Sequence, residues 1–587
     1  MLLTQELSAL VGRSFADEGF DPQLGAVRVS DRPDLAQFQC NGALVAAKAA
    51  KMNPRAVGEK IAARLKGEKI FADVSLAGPG FINLTLSDDA LSARIGALGD
   101  DPRLGGWRAQ SGETIVLDYG GPNVAKPLHV GHLRSAIIGE CLKRLFRFVG
   151  FEVFGDIHLG DWGLPMGQLI TELKREQPGL AYFDPANEGP FASASPVSLE
   201  DLERLYPKAS AACKEDAARA GEARQATAEL QAGRAGYRAL WKHFIDISRA
   251  GIEREYADLG VTFDWWKGEA DVDPLISPMV EKLRAAGVAV EDAGAVVIHV
   301  ARDDDKKEYP PLILYKSDGG VMYGTTDLAT IVDRVESVDP DRMLYVVDGR
   351  QRDHFEQVFR ASDIAGIYPK EKLEHLWFGT MNGKDGKPFK TRAGGVLKLR
   401  DLIDMVQERA AERLKESGFA DGYGKSEADD VARRIGLAAL KFADLSNPRT
   451  SDYVFDLDRF IAFEGKTGPY LHYASVRVRS VLNKAEAAGA GAPGPVALTE
   501  KEERDLALIL LQFGDAVKDA AEKRLPHYLC DHAFTLAQAF SKFYAACRIV
   551  DEADAARRAS RLSLARAAGR QLDLVLDLLG MPAPEKM

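Results

Sequence analysis

No stretch of about 18 apolar residues occurs in the 587 residues, so no transmembrane helix and no membrane partner are expected. A basic leader running into an apolar core is missing too. The opening MLLTQELSALVGRSF is a short amphipathic pattern, and no secretory signal is expected. Cysteine is scarce: Cys40, Cys141, Cys213, Cys530 and Cys547 are widely spaced, odd in number and form no CxxC pair. A disulfide framework and a thiolate zinc site are therefore not indicated, and the chain reads as a reduced, cytoplasmic protein. Excess positive charge is also lacking. Lys and Arg number 76 against 87 Asp and Glu, a net charge of −11. A general nucleic-acid coat protein is thereby disfavoured, but a local basic face that binds RNA is not. No internal repeat of fixed period is found.

What is present is an ordinary globular balance, 46% hydrophobic and 28% charged. The length suggests about four domains at roughly 150 residues each. Residues 41–66 carry helical periodicity, and Ala72 to Leu86 is strand-like, with GPGFINLTL alternating after a Gly-Pro-Gly turn. A compact α+β domain over 1–110 follows from this. ETIVLDYG (113–120) is a buried-strand pattern. After a loop, LHVGHLRSAIIGECLKRLFRFVG reads as a helix capped by Gly150, and FEVFGDIHLGD as a second strand. Strand, helix and strand in about 45 residues make a βαβ unit, with its ligand site at the strand C-ends. GAVVIHV (294–300) and RMLYVVDG (342–349) are further strand candidates. Between these strands lies an insertion, loop-like over 178–200 and helical over 200–260. From about 425 the pattern is almost wholly helical, over 502–524, 527–550 and 553–579. AEAAGAGAPGPVA (485–497) reads as a flexible connection.

Several residue patterns carry chemistry. His129-Val-Gly131-His132 falls at a helix N-terminus, where unpaired N–H groups attract phosphate. The two histidines are three apart and share a face, and Gly131 lets a nucleotide approach the backbone. Metal and surface pairs are the alternatives, and no third ligand lies near in sequence. Tyr323 and Asp327 are four apart. A buried carboxylate suits a planar guanidinium, although Thr325-Thr326-Asp327 also resembles a helix cap. GKDGKPFKTRAGGVLKLRDLI (383–403) is a Gly-flanked basic loop carrying Lys387, Lys390 and Arg392. It suits departing phosphates or reads as a solvated hairpin. Lys126 is either a second phosphate cation or a solvent-facing lysine. Tyr470, His472, Tyr473, Arg477 and Arg479 interleave rings and cations, which fits either an RNA platform or bundle core.

DYGGPNVAKPLHVGHLRSAIIGE (118–140) resembles the signature of class I aminoacyl-tRNA synthetases, and within them the arginyl family. Asn123, Ala125, Lys126, Pro127, His129, Gly131, His132, Leu133, Arg134 and Ser135 match. Asp118 replaces the usual Glu, and Gly120-Gly121 the usual serines. GDIHLGDWGLPMGQL (155–169), TFDWWKGEAD (262–271), DGGVMYGTTDLA (318–329), LYVVDGRQRDHFEQVF (344–359), SNPRTSDYVFD (446–456) and GKTGPYLHYASVRVRS (465–480) extend the resemblance in order through most of the chain.

The resemblance implies a Rossmann-like α/β class I catalytic domain over 111–424, with a helical insertion at about 170–290. It also implies an N-terminal α+β domain that contacts tRNA and an all-α anticodon-binding bundle over 425–587. The implied reaction joins L-arginine to tRNA(Arg) through an arginyl-adenylate, with ATP and its Mg²⁺ and no protein metal cage. A monomer is expected. His129, His132, Lys126, Lys387 and Lys390 would be catalytic, and Gly131, Gln351 and His354 would join His129, His132 and Lys126 at ATP. Asp118, Asn123, Tyr323, Asp327, Gln351 and Glu269 would hold arginine. Tyr470, His472, Tyr473, Arg477 and Arg449 would meet tRNA. The lysine before the HxGH pattern would replace a lysine lost from the 383–403 loop. A guanidinium-satisfied site could reject lysine by roughly 10⁴-fold, so no editing domain is needed. The rivals are a cysteinyl or class I lysyl enzyme, and a catalytically silent RNA-binding relative.

Overall fold

The computed structural model describes residues 2–317, 319–387, 389 and 397–587. Two compact units partition the chain. One combines Gln110–Arg409 with Ala443–Arg459; the other combines Met1–Ala109, Ala410–Phe442 and Phe460–Met587.

The first unit is built on a five-stranded parallel sheet. Its strands are β1 (Thr114–Tyr119), β2 (Glu152–Leu159), β3 (Trp265–Gly268), β4 (Arg342–Val346) and β5 (Leu373–His375), in the order β5-β4-β1-β2-β3. Central Leu117 pairs with Leu344 on one side and Gly155 on the other. Ile115, Val116 and Leu117 are all buried, because helices cover both faces of a parallel sheet. Labelled in chain order, the helices that matter below are α1 (Val130–Val149), α2 (Leu199–Glu215), α3 (Ala235–Asp258), α4 (Glu269–Ala285), α5 (Tyr323–Val338) and α6 (Arg352–Ile364). Helix α1 ends where expected, at Gly150 in the left-handed region with φ 105°. Val116, Leu328, Met343, Phe355 and Phe359 share one hydrophobic core.

This order places a topological switch between β1 and β4. The chain leaves β1 toward β2 and β3, then returns to build β4 and β5 on the other side. The two loops leaving β1 and β4 therefore diverge and open a crevice at the strand C-ends. Ser135 of α1 stitches the crevice floor: its Oγ donates to Val346 O at 2.6 Å and accepts from Gly120 N at 2.8 Å.

Three sequence expectations change. GAVVIHV contributes Ala295–Ile298 to a separate antiparallel sheet, paired with Val290–Asp292 and Leu312–Tyr315. The reason is local: Ala293 and Gly294 both have positive φ, the two-residue turn that twists a hairpin, so no crossover into the parallel sheet follows. Residues 443–459 belong to the unit of the parallel sheet, not to the helical domain. Arg134 of α1, 2% exposed, ion-pairs with Asp444 at 2.9 Å and donates to Ser451 O, while Tyr453–Val454 pairs with Met381–Asn382. The segment 485–497 is tied down over its second half. Gly494 N donates to Ala559 O, and Ala497 exchanges hydrogen bonds with Ser560.

The second unit holds a four-stranded antiparallel sheet within its first hundred residues, and long helices in its C-terminal part. The helical stretch 502–524 is two helices, Lys501–Leu511 and Phe513–Lys523, broken at Gln512.

Candidate active site

A cavity of about 370 Å³ opens at the C-terminal ends of β1 and β4. Gly120, Asn123, His129, Gly131 and His132 line one wall, and Tyr345, Asp348, Arg350 and Gln351 another. Asp118, His158, Asp327 and Thr330 close its inner end.

His129 is the N-cap of α1. Its Nδ1 accepts from Gly131 N at 3.0 Å, and His132 Nδ1 accepts from His129 N at 3.1 Å. These bonds fix both tautomers, because a nitrogen that accepts carries no proton. Each ring then keeps its proton on Nε2. Burial holds the His132 pKa down at about 3, with the neighbouring His129 adding to the effect. His129 is lowered too, by burial and then by the nearby Lys126 charge. Both rings are therefore neutral Nε2–H donors near pH 7. A glycine between them is required. A Cβ on residue 131 would lie 2.7 Å from His129 Cε1.

Of the acids near the inner end, Asp327 lines the cavity, while Glu269 and Asp161 are not among its lining residues. Asp327 sits in the second turn of α5 and accepts from His354 Nε2 at 2.5 Å. It does not cap the helix, whose N-cap is Met322. Glu269, the first residue of α4, accepts weakly from Trp162 N at 3.4 Å. Burial raises its pKa to about 7, and the Asp327 charge pushes the same way. Asp161 is likewise raised to about 7 by burial, with Glu269 among its repelling neighbours. Carboxylates held this way gain a proton or a cation, and a guanidinium supplies a cation with five N–H donors.

Asp118, expected to hold arginine, already has a partner. It lines the cavity, but its carboxylate is ion-paired with Arg334. Arg334 is fully buried, also pairs with Asp156 at 2.6 Å, and lies over the Tyr345 ring. The protein's own guanidinium is thus shared between Asp118 and Asp156, and burial still raises the Asp118 pKa. Tyr323, also expected to hold arginine, is exposed. At 71% exposure it stands one helical turn before Asp327 and is not among the residues lining the cavity. His354, expected at ATP, meets Asp327 instead. The proximity to Asp327 raises its pKa through their hydrogen bond. Gln351 and Asn123 line the cavity. Sequence reasoning missed Asp161, His158, Tyr345 and Arg334. Of these only Asp161 bore a signal, as a charge just past an apolar strand pattern.

Lys126 is not among the cavity-lining residues. Its Nζ lies 4.8 Å from the centre of the Tyr206 ring on α2. Lys387 is exposed, in a turn closed by Gly383 N donating to Lys387 O at 2.8 Å. Lys390 and Arg392 lie outside the described residues. Residues 397–399 lie beside the histidine segment: Val130 N donates to Leu397 O at 3.1 Å and Leu399 N to Leu128 O at 2.9 Å.

This geometry can be set beside known proteins. The catalytic-domain model of class I tRNA synthetases (R) matches residues 96–457, well over half the chain. The chain belongs to the arginyl-tRNA synthetase family. Within that family, the arginyl-tRNA synthetase N-terminal domain matches 2–86, and the DALR anticodon binding domain matches 471–587. The arginine–tRNA ligases of Hyphomonas neptunium and Maricaulis maris are each 55% identical, over 100% of both chains. Among solved structures, the arginyl-tRNA synthetase of Plasmodium falciparum superposes with a TM-score of 0.81 at 25% identity, covering 100% of this chain and 99% of that one. The Thermus thermophilus enzyme, 22% identical over the full length of both chains, shares the fold with a TM-score of 0.79.

In a member of the arginyl-tRNA synthetase family the helical stripe at 470–479 needs sorting. His472 is fully buried, and its Nε2 lies 3.0 Å from Met581 O. It is core, which corrects its assignment to RNA. Tyr470, Tyr473 and Arg477 are half-buried against Phe534, Phe419 and Tyr544. Each keeps an exposed edge. Arg449, also expected to meet tRNA, lies elsewhere. It lies in the unit of the parallel sheet and donates to Trp377 O.

Proposed function

We infer that this chain ligates L-arginine to tRNA(Arg) in two steps. Arginine and ATP first give arginyl-adenylate and pyrophosphate; the arginyl group then passes to the terminal adenosine of the tRNA. The observation that carries the reading is one cavity lined by both the N-terminus of α1, with its two histidines, and Asp327, whose charge also reaches Glu269.

In the first step the arginine carboxylate attacks the α-phosphorus in line, and pyrophosphate leaves. The chain contributes positioning and charge stabilisation, without a covalent enzyme intermediate. The Nε2–H groups of His129 and His132, with the α1 N-terminus, meet the phosphate oxygens. Asn123 and Gln351 hold the α-amino and carboxylate ends. Asp327 and Glu269 take the guanidinium, and His354 yields Asp327 to it. Mg²⁺ enters as part of the ATP substrate. The helical domain reads the anticodon loop, and the N-terminal domain contacts the tRNA. The reading includes a monomer in a reducing cytoplasm, where the five free cysteines persist as thiols.

Pyrophosphate exchange measured with each of the twenty amino acids, with and without tRNA, tests the reading. Exchange restricted to arginine is expected, and exchange with a different amino acid overturns it.

Two further outcomes arise here. Lys126 supplies the cation for departing pyrophosphate. Lys126→Ala should lower kcat of adenylation at least roughly tenfold while moving the arginine KM little, the pattern of an interaction made in the transition state. Lys387→Ala should cost less, and steady-state kinetics on both variants rank them. In the helical domain, Tyr473→Ala and Arg477→Ala should raise the tRNA KM, with the salt slope reduced only for the arginine. His472→Ala should instead leave the tRNA KM alone and destabilise the protein by about 2 kcal/mol, the scale of a buried cavity and a lost hydrogen bond. Its pKa is lowered by burial to about 4. The stability it contributes is therefore complete above the unfolded value of roughly 6.5 and is lost as pH falls toward the folded value. Denaturant melts at pH 7.5 and pH 5 check the sign.

A further inference from the structure

The helical insertion has no role in the chemistry described so far, yet it forms the seat of Lys126. Residues 125–128 border a small crevice whose other side is Glu203 of α2 with Ser248, Gly251 and Glu255 of α3. Three observations converge there. Ala125 is held at φ 63°, a conformation that costs an L-residue roughly 1–2 kcal/mol. Its N–H is taken by buried Ser248 Oγ at 3.1 Å, which pins the strained turn. The next residue, Lys126, places its ammonium over the face of Tyr206 at 4.8 Å.

The charges in the crevice explain why a ring is useful. Glu203 is paired with Lys398 at 2.7 Å, and Asp258 with Arg400. Glu255 is different: its buried Oε2 has no hydrogen-bond partner among the described residues. A mobile lysine ammonium beside such a carboxylate would be drawn into an ion pair, away from the phosphates. An aromatic face attracts a cation without neutralising it and without fixing its three N–H donors.

We propose that the helical insertion is the positioning element for Lys126, with Tyr206 holding the ammonium by its ring face and Ser248 fixing the turn that carries it. The proposal rests on the reading of Lys126 as the pyrophosphate cation. Tyr206 and Ser248 touch no substrate; they act through Lys126. Glu255 is the competing acceptor that Tyr206 keeps the ammonium from reaching.

The test is arginine-dependent pyrophosphate exchange, with tRNA present, on a set of full-length variants whose folding is checked by thermal melting. Tyr206→Leu should lower kcat roughly three- to tenfold with the arginine KM nearly unchanged, the scale of one cation–π contact. Tyr206→Phe keeps the ring and should restore the native rate. Adding Glu255→Gln to Tyr206→Leu should recover most of the loss. In the Lys126→Ala background Tyr206→Leu should have no further effect, as a double-mutant cycle requires of two residues acting as one. A native kcat for folded Tyr206→Leu, a Phe variant as slow as the Leu variant, or losses that multiply with Lys126→Ala would each overturn the proposal. If Tyr206→Leu melts early, Tyr206→Met replaces it with the same expected outcomes. Native kcat in Lys126→Ala alone would overturn the reading of Lys126. A slow Lys126→Ala beside a native Tyr206→Leu would overturn only the seat.

Discussion

His132→Ala is expected to cut arginyl-adenylate formation by roughly 10²–10³, the loss that follows removal of one preorganised transition-state donor. His129→Ala should do the same. The expectation comes from the reciprocal bonding of the pair: each Nδ1 is occupied by a backbone N–H, so each Nε2–H is free to donate. The loss should fall in kcat, because charge grows on the phosphate oxygens mainly as pyrophosphate departs. It should also be independent of pH between about 6 and 8. His132 is neutral throughout that range, its pKa being held at about 3 by burial. A histidine acting as imidazolium would behave oppositely and lose effect as pH rises. His132→Asn is the sharper variant, since an amide can still donate and should recover part of the rate. Single-turnover adenylate formation at pH 6, 7 and 8 decides it. A native rate in His132→Ala would remove these rings from the phosphate site.

Asp327→Ala should raise the arginine KM by at least roughly a hundredfold, because truncating one partner of a buried charge pair costs about 2–5 kcal/mol. ATP affinity should be nearly unchanged, since the proposed role puts the carboxylate at the guanidinium end. The free site already contains a competitor, as His354 Nε2 is 2.5 Å from Asp327 Oδ2. That pair gives the arginine KM a pH dependence with a defined sign. The His354 pKa is raised by Asp327, so its imidazolium persists upward in pH and releases Asp327 when it deprotonates. Glu269, raised by burial to about 7, becomes a carboxylate as pH rises through the same region. Both changes add negative charge where a guanidinium binds, so the arginine KM should fall between pH 6 and 8. Where one proton must leave, the limiting slope is about tenfold per pH unit. His354→Ala should flatten part of the profile and lower the KM at pH 6. Equal arginine affinity in Asp327→Ala and native protein, measured by calorimetry, would assign the guanidinium to other acids.

The two predictions differ in how readable their residues were. The histidines were legible because their chemistry is local. A strand pattern, a loop and a helix start fix where His129 and His132 fall, and the three-residue spacing fixes that they face together. Asp327 was legible as a spacing with Tyr323, but only half of that pair lines the cavity. The helix begins at Tyr323, leaving its ring in solvent one turn outside. Nothing in a four-residue spacing tells which end of a face meets a cavity.

What the sequence by itself determined is what short-range physics sets. The β1–α1–β2 unit, the Gly150 stop, the loop-then-helix character of the insertion and the place of His129 and His132 at a helix start follow from hydrophobic period, caps and turns. Tertiary structure alone decided the partnerships. Asp118 was taken from arginine by Arg334, more than 200 residues later in the chain. His472 was taken from RNA by Met581 O, Lys126 was set over Tyr206, and 443–459 was fastened to α1 through Arg134 and Asp444. The physical reason is common to all four. A buried charge or imidazole must find a partner, and the partner is whichever group the packed chain brings within about 3–5 Å. That distance is set by sheet order and helix packing, which no pattern of neighbours along the chain records.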